Sequence, residues 1–98
     1  MLFVVSCTDK ANSGPLRAQN REAHLAYLAS QGDRLKAAGP YLNTAGTAPT
    51  GSLLIIEAED IDAARKFSEA DPYAVAGVFG QVDIRPWRWL IGNPEAES

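Results

Sequence analysis

Six consecutive residues, Ser52-Leu53-Leu54-Ile55-Ile56-Glu57, constrain the fold of this chain more than any other stretch. A short apolar run rich in isoleucine and leucine, entered from Gly51 and left through acids, reads as a β-strand. Neighbouring side chains of a strand point to opposite faces, so Leu53 and Ile55 lie on one side and Leu54 and Ile56 on the other. A sheet with one face in water alternates apolar with polar residues. This strand does not alternate, so both faces of its sheet need cover.

The rest of the chain sets how much cover is available. Leu2 to Cys7 reads as a first strand, and Thr8 to Pro15 has the Asp, Asn, Ser, Gly and Pro of a loop. Leu16 to Leu35 has helical composition, loosened near Gly32. Lys36 to Leu42 follows as a second strand, which Gly39-Pro40 sends to a sheet edge. After a loop over Asn43 to Gly51 and the strand described above, Asp60 offers an N-cap to a second helix through Ala63, Ala64 and Phe67. Asp71-Pro72 ends that helix and starts a short new one, with Asp71 as its cap and Pro72 in its first turn. Gly77 and Gly80 close the segment. Gln81 to Ile91 is the last strand, with a bulge or an edge expected at Pro86.

The order is βαββαβ with a short helical insert, an α+β ferredoxin-like arrangement: a four-stranded antiparallel sheet with its helices on one face. We expect one domain over residues 1–91 and a polar, fraying tail over 92–98. A chain of 98 residues has nothing left to cover the second face. A homodimer packed sheet to sheet, with Trp87 and Trp89 helping to fill the interface, is the economical answer.

Charge and composition narrow the partners. A net charge of −3 supplies no bulk of phosphate-neutralising residues, which argues against nucleic acid. Cys7 is the single cysteine and His24 the single histidine, so neither an intrachain disulfide nor a cysteine or multi-histidine metal site is expected. The run Met1 to Cys7 lacks the basic start and the length of a signal peptide, and no apolar run reaches the ~20 residues of a membrane span. The reading is a reduced, cytoplasmic protein without a membrane partner.

Chemistry concentrates on the first helix. At ~100° per residue, Arg17, Arg21, His24 and Leu28 share an arc of about 60°, beside a core stripe assigned to Ala18, Leu25 and Leu28. Two readings stand. In one, the arginines snorkel at the core edge and His24 is half exposed. In the other, the stripe lines a pocket between helix and sheet. Asp71 needs no function beyond its cap, but a capping carboxylate can also fix an imidazole tautomer and raise its basicity. His24 with Asp71 is then a base and its orienter without a nucleophile, which suits proton transfer, elimination or isomerisation. Cys7 reads as a small core residue, and Ser52 as a polar start to its strand. Tyr27, Tyr41 and Tyr73 can donate to a ligand, although buried tyrosines usually fill core edges. The acids Glu57, Glu59, Asp60 and Asp62 fit no Ca²⁺ loop, and no phosphate-binding glycine fingerprint is present.

The ordered motifs Arg17-x-x-x-Arg21-x-x-His24-Leu25, Ala38-Gly39-Pro40, Gly51-Ser52, Asp71-Pro72-Tyr73, Ala76-Gly77-Val78 and Ile84-Arg85-Pro86-Trp87 span residues 1 to 91. In order and spacing the chain resembles the YciI-like proteins of the YCII-related family, in the dimeric α+β barrel superfamily. The resemblance implies a ferredoxin-like protomer, a sheet-to-sheet dimer and an active-site pocket with His24 and Asp71, accompanied by Arg17, Arg21 and Ser52. One family relative acts as a dehydrochlorinase on a chlorinated hydroxyhydroquinone. Two functional readings follow: a cofactor-independent lyase or isomerase for a small molecule, or a non-catalytic ligand-binding or accessory protein using the same pocket.

Overall fold

The computed structural model describes residues 1–95. Its elements are β1 (Leu2–Asp9), α1 (Gly14–Ser30), a 3₁₀ turn (Gly32–Arg34), β2 (Leu35–Leu42), β3 (Pro49–Glu57), α2 (Ile61–Ala70), α3 (Pro72–Ala76) and β4 (Phe79–Trp87). All pairings are antiparallel, in the order β2-β3-β1-β4. This is the expected ferredoxin-like sheet. The two prolines called for edge positions, Pro40 and Pro86, lie on β2 and β4, the two edges.

Register sorts the side chains into two faces. Phe3, Val5 and Cys7 of β1 lie opposite Ile56, Leu54 and Ser52 of β3. These residues point under the helices, where Phe3, Val5, Cys7, Leu54 and Ile56 join Leu28 of α1 with Ala64 and Phe67 of α2 in the core. The other face carries Leu2, Val4 and Ser6, opposite Glu57, Ile55 and Leu53. No described helix lies there. On it Leu53, Tyr41 and Trp87 are 37%, 39% and 38% exposed, while Ile55 is buried.

Local chemistry sets the element ends. Asp60 caps α2 by accepting from the Ala63 N–H at 2.8 Å. Asp71 caps α3 by accepting from the Tyr73 N–H at 2.9 Å, with Pro72 in the first turn as expected. Gly77 then ends α3 at a φ of 84°, where a side chain would strain the backbone.

Three local expectations are corrected, and the bulge or edge expected at Pro86 is met as an edge. α1 begins at Gly14 and stops at Ser30, because Gly32 adopts a φ of 60° and turns the chain. β4 ends at Trp87 because Trp87 already pairs with Leu2, the first residue of β1, so no ladder partner lies beyond it. The β1–β4 irregularity falls between Thr8 and Asp9, while Pro86 pairs in register with Phe3. An edge strand tolerates the missing proline N–H without a bulge. Finally, the core stripe of α1 is not Ala18, Leu25 and Leu28. Leu28 is buried, but Ala18 is exposed and Leu25 is 45% exposed, while Arg17 and His24 face inward. The surface beneath that part of α1 is polar, as described next. Of the tail, Glu95 accepts from Lys36 at 3.0 Å, and the fraying expected of residues 96–98 lies outside the described residues.

Candidate functional site

A buried ionisable group needs partners, and the inner face of α1 meets them on three elements. Arg17 is 8% exposed. Its Nε and Nη2 donate to the Asp9 carboxylate at 2.9 and 3.4 Å, at the end of β1. Nη2 also reaches the Gly51 carbonyl and Ser52 Oγ of β3, each at 2.7 Å. Gly51 permits β1 to lie close to β3 here, since a Cβ there would collide with the Cys7 carbonyl oxygen. Arg17 is therefore a strut: it ties α1 to two strands, and its charge is matched by Asp9.

His24 lies two turns further along α1. Its Nδ1 is 2.8 Å from Asp71 Oδ1, the same oxygen that caps α3, and both side chains are buried. An ionised carboxylate only accepts, so Nδ1 carries the proton, and whenever the ring is neutral its lone pair is on Nε2. Tyr73, the second residue of α3, stacks on the imidazole with centroids 3.8 Å apart and planes within 10°. The Arg17 guanidinium carbon sits 4.6 Å from the centroid of the same phenol ring, a cation–π distance. Asp71 fixes the ring's rotation and Tyr73 fixes its plane.

Beside these groups is a cavity of about 160 Å³, lined by Arg17, Arg21, His24, Ser52 and Tyr73 on its polar side, and by Leu25, Leu28, Leu54 and the Ala38-Gly39-Pro40 run of β2. Every fully buried side-chain nitrogen or oxygen among the described residues is hydrogen-bonded. Nε2 of His24 bonds to no described residue, so it is reachable from this cavity. Arg21 is exposed at the rim and takes part in none of the ion pairs among the described residues. The one-turn spacing on α1 thus separates a neutralised arginine from a free one.

Burial also acts on neutral acids of the site. Cys7, beneath it on β1, has its thiol pushed up to about 12 by burial and by the negative charges of Asp71 and Asp9, against a smaller opposing pull from Arg17. The Tyr73 phenol is raised by burial, with Arg17 opposing in part. Both groups stay protonated at neutral pH.

All five sequence candidates, His24, Asp71, Arg17, Arg21 and Ser52, belong to this one neighbourhood. Asp71 touches the cavity through His24 and does not line it. Asp9 was missed, because a lone acid at a strand end reads as loop chemistry until its partner is known. Tyr73 was named without its stack. Tyr27 instead donates to the Phe67 carbonyl at 2.8 Å, and Tyr41 pairs with Ser6 Oγ on the open face at 2.9 Å. Among the described residues no group of three or more His, Cys, Asp or Glu is placed to hold a metal ion. No described helix is long and apolar enough to cross a membrane.

Comparison with known proteins shows the family and the fold. Protein YciI of Escherichia coli O6:H1 is 42% identical over 95 residues, covering 90% of this chain and 97% of that protein. Among solved structures, 5-chloro-2-hydroxyhydroquinone dehydrochlorinase (TftG) from Burkholderia phenoliruptrix AC1100, in complex with 2,5-dihydroxybenzoquinone, superposes with a TM-score of 0.82 at 37% identity, covering 90% of this chain and 94% of that one. A protein from Agrobacterium tumefaciens at 13% identity, covering 96% of this chain and 98% of its own, shares the fold with a TM-score of 0.56. The model of the YCII-related domain matches residues 1–88, and the chain belongs to that family.

Proposed function

We propose that this chain is a cofactor-independent lyase or isomerase for a small, ionisable molecule. In this reading Nε2 of His24 is the general base, Asp71 orients it, and the rim cation Arg21 holds the charge that develops on the ligand. Arg17 places Ser52 and lines the cavity floor. The observation that carries the proposal is the buried 2.8 Å contact of His24 with Asp71, which leaves Nε2 as the open nitrogen beside a cavity. At about 160 Å³ the space suits one ring, since an engineered cavity of about 150 Å³ holds benzene. In the step, Nε2 accepts a proton from the ligand and the electron pair left behind moves toward a ligand oxygen. In an elimination that pair returns from the oxygen to form the new π bond as the leaving group departs with its bonding pair. The named activity of the dehydrochlorinase relative supports an elimination of this kind.

The proposal includes a second copy of the chain against the open face of the sheet, supported by the exposed Leu53, Tyr41 and Trp87. Its setting is the cytoplasm, which suits one buried, unpaired thiol.

The test is turnover of 5-chloro-2-hydroxyhydroquinone and a panel of related phenols, followed by chloride release and absorbance. Wild type is expected to turn over at least one, and His24→Ala to lose about 10²–10⁴-fold in rate. Turnover that survives His24→Ala would remove the base. Binding without turnover would favour the ligand-binding reading of the same pocket.

A further inference from the structure

The mechanism above leaves two hydroxyls of the cavity, those of Ser52 and Tyr73, with protons that no described residue accepts, and the phenol is the one stacked on the base. Tyr73 is only 2% exposed, yet it lines the cavity. Its backbone N–H is spent on Asp71 and its ring on His24. Its hydroxyl donates to no described residue. The cation nearest the ring, Arg17, has only donors to offer, so it cannot take the phenol's proton. Tyr73 lines the cavity, and Arg17 acts on its phenol oxygen only as a donor, so the hydroxyl proton has no acceptor among the described residues. Tyrosines this deeply buried ordinarily find an acceptor. Burial raises the phenol above its usual range, so it keeps its proton at neutral pH and is a donor.

We infer that the Tyr73 hydroxyl is the hydrogen-bond donor to the ligand oxygen on which charge collects when His24 takes its proton. The inference rests on the proposed function and extends it by one residue. The phenol keeps its proton throughout: the ligand's proton goes to Nε2, the electron pair moves to the ligand oxygen, and Tyr73 donates a hydrogen bond to that oxygen. Because its ring is stacked on the imidazole, the donor and the base are held in one rigid unit. Stacking keeps them in register without a bond between them.

The probe is 2,5-dihydroxybenzoquinone, measured by calorimetry against wild type and Tyr73→Phe, which keeps the stacked ring and removes only the oxygen. Wild type is expected to bind. Tyr73→Phe is expected to bind about 10–100-fold more weakly, the range for losing a hydrogen bond to a charged group. Its Tm and the ring-nitrogen resonances of His24 should stay as in wild type, which a purely structural role would not predict. Equal affinity in the two proteins, within twofold, overturns the inference and leaves the His24 reading intact. A wild type that ignores the probe at millimolar concentration, together with no hit in the phenol panel, overturns both. If Tyr73→Phe shifts the His24 resonances, binding is compared with Tyr73→Leu. Equal losses in the two variants then reduce Tyr73 to a support for the imidazole and overturn its donor role.

Discussion

Along β3, Ser52 faces the helices and Leu53, the next residue, faces away. Ser52 sits opposite Cys7 beneath Arg17 and is 3% exposed, with its oxygen bonded. Leu53 sits opposite Ser6 and remains 37% exposed, with nothing above it among the described residues. At this step of the strand the covered face thus carries a bonded polar group, and the open face an apolar side chain that stays partly exposed. The first pattern is costly unless it is used for chemistry, because each buried charge must be matched. The second is costly unless another surface arrives. One strand therefore carries both halves of the proposal: a site under the helices, and a surface behind it proposed to meet a second copy.

The contrast is sharpened first on the open face. Wild type is expected to sediment as a dimer at micromolar concentration. Burying a leucine stabilises by about 1.5–3 kcal/mol, and each copy contributes one Leu53. Leu53→Asp should then raise the dimer Kd by roughly 10²–10⁴-fold. A wild-type monomer, or an Asp variant that dimerises as before, would remove the assembly claim.

The covered face is probed next by Arg17→Ala, which leaves the Asp9 carboxylate buried without its cation. Such a broken pair costs about 3–5 kcal/mol, read from urea unfolding. Arg17→Met with Asp9→Leu, removing both charges, should recover much of that loss. If Arg17→Ala were neutral, Arg17 would be no strut.

Alkaline pH tests the same face with a smaller effect. The Cys7 thiol ionises near 9.0 in an ordinary setting and near 12 in the fold, so between these values the folded chain holds a proton that the unfolded chain releases. Stability is fully present below pH 9 and falls as pH rises toward 12, by roughly 4 kcal/mol. The raised Tyr27 and Tyr73 phenols add to the fall in the same direction. Cys7→Ala should flatten the slope; an unchanged slope would show that Cys7 does not contribute.

The smallest expected change in stability is at Arg21. Arg21→Ala should move it by no more than ~0.5 kcal/mol, since the side chain is exposed and in none of the ion pairs among the described residues. Affinity for 2,5-dihydroxybenzoquinone should nevertheless fall about tenfold. Arg17 and Arg21 would then differ as support and recognition, one turn apart on one helix.

Much of this was readable from the chain. The two-sided strand announced the open face, and Asp60, Asp71 and Pro72 marked the helix starts through capping chemistry that acts within a few residues. The spacing Arg17, Arg21, His24 put three polar groups on one arc. What pattern reading missed was which arc faces inward. Apolar periodicity favoured Ala18 and Leu25, because one sequence does not show that Asp9, Ser52 and Asp71 wait beneath α1. Those partners come from three separate elements, and only long-range folding brings them together. Asp9 stayed hidden for that reason, and so did the Tyr73 stack.

The central claim is that Asp71 holds His24 with its proton on Nδ1 and its lone pair on Nε2 toward the cavity. Long-range ¹H–¹⁵N spectra of the His24 ring, recorded above its own titration midpoint, read this directly. The account predicts a single tautomer protonated at Nδ1, with the Nε2 resonance moving when 2,5-dihydroxybenzoquinone is added. A ring protonated at Nε2, or an Nε2 resonance indifferent to a ligand that binds, would contradict it.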